Sequence, residues 1–154
     1  MVDEPVHLAD GVKVWHFCHI MAGASVGAGT QLGQNVFVGR GVRIGAGCKV
    51  QNNVSVYEGV ELADKVFVGP SVVFTNVQRP RAFIEQKESF LPTYIAEGVT
   101  IGANATIVCG VHIGAYAFIA AGSVVTQDVP AFAKVMGVPG RVVGKVDEAG
   151  KDTD

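Results

Sequence analysis

His16, Gln34 and Asn52 stand eighteen positions apart, and Asn35 and Asn53 follow the last two by one residue. An imidazole and carboxamides in such a series have two uses. They can hydrogen-bond a polar ligand along one edge of a regular structure, or bond one another in a ladder between successive turns, and the residues alone leave both open. A further amide, Asn76, is followed by Arg79 and Arg81, cations suited to a carboxylate or a phosphate. Other side chains exclude chemistries. Cys18, Cys48 and Cys109 are odd in number and form no CxxC, which argues against a disulfide framework or a structural zinc. The four histidines, His7, His16, His19 and His112, include no pair spaced for adjacent sites late in the chain, so no metal is expected.

Whatever positions these residues must repeat. Every sixth residue from Leu8 to Phe74 is aliphatic or aromatic, through Val14, Ile20, Val26, Leu32, Val38, Ile44, Val50, Val56, Leu62 and Val68. Two residues before each lies a second series of small or β-branched residues, among them Val12, Ala24, Thr30, Val42 and Val60. The pattern resumes at Ile95 and continues through Ile101, Ile107, Ile113 and Ile119 to Val125. A strand alternates inward and outward side chains, so inward sites two apart followed by a four-residue step describe a short strand, a turn and another strand. Both series are expected to point inward, and Gly27, Gly33, Gly39, Gly45, Gly102 and Gly114 to lend their freedom to the turns. Three sides close a triangular coil. The eighteen hexads predict an all-β parallel helix of about six coils, stacked at roughly 4.8 Å.

Between Phe74 and Ile95 the period lapses for 21 positions, three more than a coil, across VQRPRAFIEQKESFLPT. That segment predicts an extruded loop over residues 77–94, facing substrate because loops on rigid scaffolds carry sites. Residues 1–146 then form the domain, and 147–154 a flexible tail. At 154 residues, 49% hydrophobic and a formal charge of −2, the chain suits one globular domain with no nucleic-acid partner. No apolar run spans a bilayer and the opening MVDEPVHLADG is unlike a signal peptide, so a cytoplasmic protein with no membrane partner is expected.

Stacking by eighteens also sorts the outward positions. The side holding Val38 and Val56 shows His19, Phe37, Ser55 and Val73, with Met21, Gly39, Tyr57 and Thr75 beside them, whereas the side holding Ile44 shows Ser25, Arg43 and Glu61. An apolar outer face reads as an oligomer contact. The polar columns at its two edges would meet across a cleft in a head-to-tail ring.

The hexads resemble those of the hexapeptide-repeat acyltransferases, which implies a left-handed coil. WHFCHI, LGQNVFVG, VQNNVSVY, GPSVVFTNVQRPR, TIGANATIVCGV and FIAAGSVVTQDVP, spanning Trp15 to Pro139, resemble the nucleotide-sugar 3-N-acetyltransferases, in particular those acting on UDP-2-acetamido-3-amino-2,3-dideoxyglucuronic acid. The resemblance implies a homotrimer with acetyl-CoA between subunits. It places Asn76 of FTN in the catalytic position, with His16 or His19 as possible assistants and no metal. Substrate contacts are expected from Gln34, Asn35, Asn52, Asn53, Tyr57, Arg79 and Arg81. The pantetheine arm is expected along Gly102, Ala103, Ala120 and Ala121, and the CoA phosphates at Lys134 and Arg141. Gln127 replaces a common lysine of the family and Gly140 a common alanine. The competing expectations are an acetyltransferase for a dTDP-3-amino-3,6-dideoxyhexose and a non-catalytic β-helix scaffold.

Overall fold

A computed structural model describes residues 1–153. Three parallel sheets form the sides of a left-handed triangular prism. The first face carries His7–Leu8, Ser25–Val26, Arg43–Ile44, Val60–Leu62, Thr93–Ile95 and His112–Ile113. The second carries Lys13–Val14, Gln31–Leu32, Lys49–Val50, Phe67–Val68, Thr100–Ile101 and Phe118–Ile119. The third carries His19–Ile20, Phe37–Val38, Ser55–Val56, Val73–Phe74, Thr106–Ile107 and Val124–Val125. Partners in intact coils are eighteen residues apart, as in Phe37 with Ser55. Left-handed connection between parallel strands is the rare hand.

Six coils are complete, and partial turns extend both ends. Val2 pairs with Ile20 before the first. After the last, Val129 pairs with Ile113 and Val135 with Ile119, sixteen positions on instead of eighteen.

The sixth-residue series fills the core: Val38, Val56, Val68, Ile95, Ile101, Ile107, Ile113 and Ile119 are all 0% exposed. Leu8 and Val14 depart from the expectation, at 39% and 38% exposure, because no coil covers the first one. Polar members of the second series are satisfied inside. Thr30 Oγ1 donates to the Gly45 carbonyl at 2.7 Å and accepts from the Cys48 N–H at 3.0 Å.

The turns correct the reason given for the glycines. Positive φ occurs two residues further on, at Asn35 (57°), Asn53 (62°), Gly41 and Gly59, where asparagine and glycine are least strained. Where a glycine directly follows a strand, it permits close approach of the neighbouring coil instead. A Cβ on Gly39 would lie 2.6 Å from the Glu58 nitrogen, and one on Gly69 2.7 Å from that of Ala103.

The interruption is a fifteen-residue insertion into one coil, since Val73 pairs with Thr106, 33 positions on. It ends earlier than residue 94: Thr93 and Tyr94 belong to a strand paired with Val60 and Glu61, and Thr93 is buried. The C-terminal segment is also more ordered than a frayed tail. Arg141–Val146 pairs antiparallel with Ala133–Met136, and Asp152–Thr153 with Arg141–Val146, because Asp147 turns the chain by accepting from the N–H groups of Ala149 and Lys151, each at 2.9 Å. Residue 154, the end of the expected tail, lies outside the described residues. Among the described residues no helix is long and apolar enough to cross a membrane.

Candidate active site

Asn76 leaves the third face two residues after Phe74, at the edge that face shares with the first. Three hydrogen bonds hold this exit. Thr75 Oγ1 accepts from the Cys109 N–H of the next coil at 2.9 Å, and Asn76 Nδ2 donates to the Glu58 carbonyl of the preceding coil at 3.2 Å. The Leu91 N–H donates to the Asn76 carbonyl at 3.0 Å, so the loop returns to its own starting point. A single 3₁₀ turn, Lys87–Ser89, shapes the returning arm.

Between loop and prism lies a cleft of about 490 Å³. Its apolar wall is Met21, Phe37 and Tyr57 with Phe90 from the loop, and its polar groups are Arg40, Glu58, Asn76 and Lys87. A mostly apolar concavity with a few convergent polar groups is the usual form of a small-molecule site. The Asn76 amide has one N–H engaged with the backbone, while its oxygen has no partner among the described residues and is able to accept a hydrogen bond.

Of the residues expected from sequence, the structure brings Asn76 and Tyr57 into this cleft. His19 stands beside it, its ring 5.7 Å from that of Phe37, which is in turn 5.8 Å from Tyr57; its Nε2 lies 3.2 Å from Asp3 Oδ2. His16 sits on the opposite edge of the third face, exposed beside Phe17. Arg79 and Arg81 are exposed on the loop and do not line the cleft, and an Arg81 Nη1 donates to the adjacent Pro80 carbonyl at 3.4 Å.

Gln34 and Asn52 share a second cleft, of about 290 Å³, with Trp15, Gln31 and Gln51 at the edge between the second and third faces. Asn52 Oδ1 there accepts from the Gln34 N–H at 2.8 Å, and Asn35 Nδ2 donates to Asn53 Oδ1 at 3.0 Å. The ladder alternative therefore describes Asn35 and Asn53, whose left-handed backbone also explains why asparagine occupies both corners. Gly102, Ala103, Ala120 and Ala121 continue down the same edge in the later coils. The backbone of Ala121 would obstruct a side chain on Gly102. Lys134 is paired with Asp152 at 2.8 Å, and Arg141 Nη1 donates to the Gly140 carbonyl at 3.1 Å. One edge thus holds the amides and the small residues in single file, the other holds Asn76, and the apolar third face lies between.

Arg40, Glu58, Lys87 and Phe90 were not expected. Arg40 and Glu58 were legible in principle, since 40, 58 and 76 are eighteen apart and occupy one corner in successive coils. Lys87 and Phe90 lie outside the period, where only the path of the loop reveals them. The two groups with shifted titration are remote from the cleft. Burial pushes the Cys48 thiol up, and Lys65 is raised by its hydrogen bond to Glu97.

The comparisons with known proteins agree with the fold. Residues 92–127 match the bacterial transferase hexapeptide (six repeats), and residues 23–58 the hexapeptide repeat of succinyl-transferase. A 2,3,4,5-tetrahydropyridine-2,6-dicarboxylate N-acetyltransferase of Staphylococcus aureus is 43% identical over 83 residues, 54% of this chain and 32% of that protein. The chain thus matches about a third of the length of these curated relatives. A hexapeptide transferase family protein from Anaplasma phagocytophilum superposes with a TM-score of 0.77 at 13% identity, over 97% of this chain and 85% of that one, which is a likeness of fold. A hexapeptide-repeat acetyltransferase from Vibrio cholerae, solved with acetyl-CoA, gives a TM-score of 0.51 at 26% identity, over 86% and 71%. With its six-residue period on both sides of the inserted loop, its three-sided coil and its two repeat matches, the chain carries the hexapeptide repeats of bacterial transferases and has the fold of hexapeptide-repeat acetyltransferases.

Proposed function

We propose that this protein is an acetyl-CoA-dependent N-acetyltransferase whose acceptor is the 3-amino group of a UDP-linked 3-amino sugar acid, UDP-2-acetamido-3-amino-2,3-dideoxyglucuronate, used in surface polysaccharide synthesis. The observation that carries the reading is Asn76, which lines the cleft with its nitrogen anchored to the Glu58 carbonyl and its oxygen without a hydrogen-bond partner among the described residues. Amines near α-amine basicity, with a pKa of about 8, are partly neutral at physiological pH, so the nucleophile needs orientation more than a strong base. Asn76 Oδ1 accepts an N–H of the amine and aims its lone pair at the thioester carbonyl. The new C–N bond forms as the C–S bond breaks, and the proton lost from nitrogen ends on the departing CoA sulfur.

The whole site is a property of a homotrimer. The amide and small-residue edge of one subunit faces the Asn76 edge of its neighbour, and acetyl-CoA lies between them along Gly102, Ala103, Ala120 and Ala121. The exposed aromatic third face, with Tyr57 41% and Val73 48% exposed, supports that packing. The protein acts in the cytoplasm.

A second reading is favoured by the curated relatives, named for N-acetylation of a cyclic dicarboxylate; it keeps the chemistry and replaces the nucleotide sugar with a small acid. The test is thiol release from acetyl-CoA with a panel of acceptors: the UDP amino-uronate, a dTDP-3-amino-3,6-dideoxyhexose and the dicarboxylate. Preferential turnover of the uronate is the expected result. Preference for another acceptor reassigns the substrate, and absence of both turnover and thermal stabilisation by acetyl-CoA leaves a β-helix scaffold.

A further inference from the structure

Arg40, Glu58 and Asn76 occupy one corner of the prism in three successive coils, and all three line the same cleft. Successive coils are one strand spacing apart, so Glu58 lies about 5 Å and Arg40 about 10 Å along the axis from Asn76. The guanidinium makes no ion pair among the described residues, and neither does the Glu58 carboxylate. A second cation, Lys87, borders the cleft from the loop, with only an exposed 3.2 Å contact to Glu85. Two cations bordering one cleft are an unusual complement for an otherwise apolar concavity, and the two-coil offset of Arg40 from Asn76 separates its guanidinium from the position of the reacting amine.

Resting on the acetyl-transfer reading above, we propose that Arg40, assisted by Lys87, is the anion-recognising group of this site, binding a carboxylate or phosphate of the acceptor two coils away from Asn76. Glu58 repels an anion from the intervening step, which keeps the acid group away from Asn76, where the amine is held. The column therefore sets the register of the acceptor. An acid group that slides toward Asn76 meets a carboxylate, while one seated at Arg40 meets a planar fork matched to two oxygens. Arg79 and Arg81, which do not line the cleft, have no part in this recognition.

The sugar carboxylate and the nucleotide diphosphate share this chemistry, and equilibrium binding separates them. UDP-glucuronate and UDP-glucose carry the same diphosphate and differ in the carboxylate, and neither requires acetyl transfer to be measured. Arg40→Gln is expected to weaken UDP-glucuronate binding by about tenfold or more, the scale of a lost charge-assisted bond. Weakening confined to UDP-glucuronate identifies the carboxylate as the group held, and equal weakening of both ligands identifies the diphosphate. Glu58→Gln is expected to tighten the same ligand about two- to fivefold, by removing a like charge. Opposite signs at neighbouring positions distinguish recognition from general damage to the fold. Lys49→Gln, the same loss of charge on the second face, is expected to change nothing. Should Arg40→Gln fail to fold, Lys87→Gln on the exposed loop is expected to weaken binding in the same sense.

Unchanged affinity for both ligands in the Arg40 and Lys87 variants overturns the proposal, as does weakening by Lys49→Gln of equal size. The two readings fail separately. Wild-type protein that binds UDP-glucuronate through Arg40 yet acetylates no acceptor refutes acetyl transfer alone, whereas acetyl transfer indifferent to Arg40 and Lys87 refutes this inference alone.

Discussion

Asn76 has a backbone partner for its nitrogen and none for its oxygen among the described residues, an arrangement that orients a hydrogen-bond acceptor without a titratable group. On the proposed role, replacing it with alanine removes a contact realised in the transition state, and it deletes only one exposed hydrogen bond from the fold. Asn76→Ala is accordingly expected to lower kcat by about 100-fold or more while acetyl-CoA affinity and Tm stay close to wild type, as measured by steady-state kinetics and a thermal melt. Survival of kcat within a few-fold would transfer the role to His19 or His16. The cysteines have a different character. Cys48 Sγ donates to the Ala63 carbonyl at 3.1 Å, and burial raises its pKa above the ordinary thiol value. The folded state therefore holds the proton more tightly than the unfolded one. Its contribution to stability is complete below the unfolded thiol pKa, about 8.5, and is lost as pH rises through the raised folded value. All three cysteines are buried, so Ellman's reagent at pH 8 is expected to find no reactive thiol in native protein and three after denaturation.

At the scale of the element, each strand of the six complete coils is two or three residues long, too short to be stable alone, and its stability comes from the neighbouring coils. The glycines after the strands permit that contact. Gly69 is buried, and a methyl group there would lie 2.7 Å from the Ala103 nitrogen and 2.9 Å from the Ile101 oxygen, both backbone atoms that cannot rotate away. Gly69→Ala is expected to cost about 1–3 kcal/mol, the range for overpacking, read as a shift of the denaturation midpoint. Ala28, at a corner where the side chain is exposed, tolerates its methyl group, so a helix-wide preference for glycine does not account for the pattern. The inserted loop obeys another logic. It is closed at its base by the Asn76–Leu91 backbone bond and carries Lys87 and Phe90 back to the prism, which makes it a wall of the cleft.

For the whole molecule the decisive feature is the third face. Phe37, Tyr57 and Val73 form an apolar surface between two polar edges, each bearing part of the expected constellation. If the proposed trimer shares its site between subunits, Phe37→Glu, which places a charge in that surface, is expected to shift the sedimentation profile from trimer toward monomer and to abolish acetyl transfer. A stable monomer with full activity would refute the shared site. Phe37 also lines the Asn76 cleft, so Val73→Glu, outside that cleft on the same face, separates loss of assembly from local damage.

The fold was legible because burial in a β-helix is locally periodic. A residue's inward or outward direction is decided by its place in a six-residue side, and Val38, Ile107 and Thr30 could all be assigned without knowing what lay opposite. The stacking of side chains eighteen apart was legible for the same reason, and it holds the Asn35–Asn53 ladder and the unnoticed Arg40–Glu58–Asn76 column. What ended the period was not legible. Leu8 and Val14 follow the rule and are exposed because burial also requires a covering coil, and the last segment hairpins back because Asp147 caps its turn. The excursion of the loop and the return of Lys87 and Phe90 beside Asn76 depend on a chain path that no repeat encodes. Local sequence period thus determined the prism and its columns, while contacts between residues of unlike phase, which only the folded chain brings together, decided which column became a cleft.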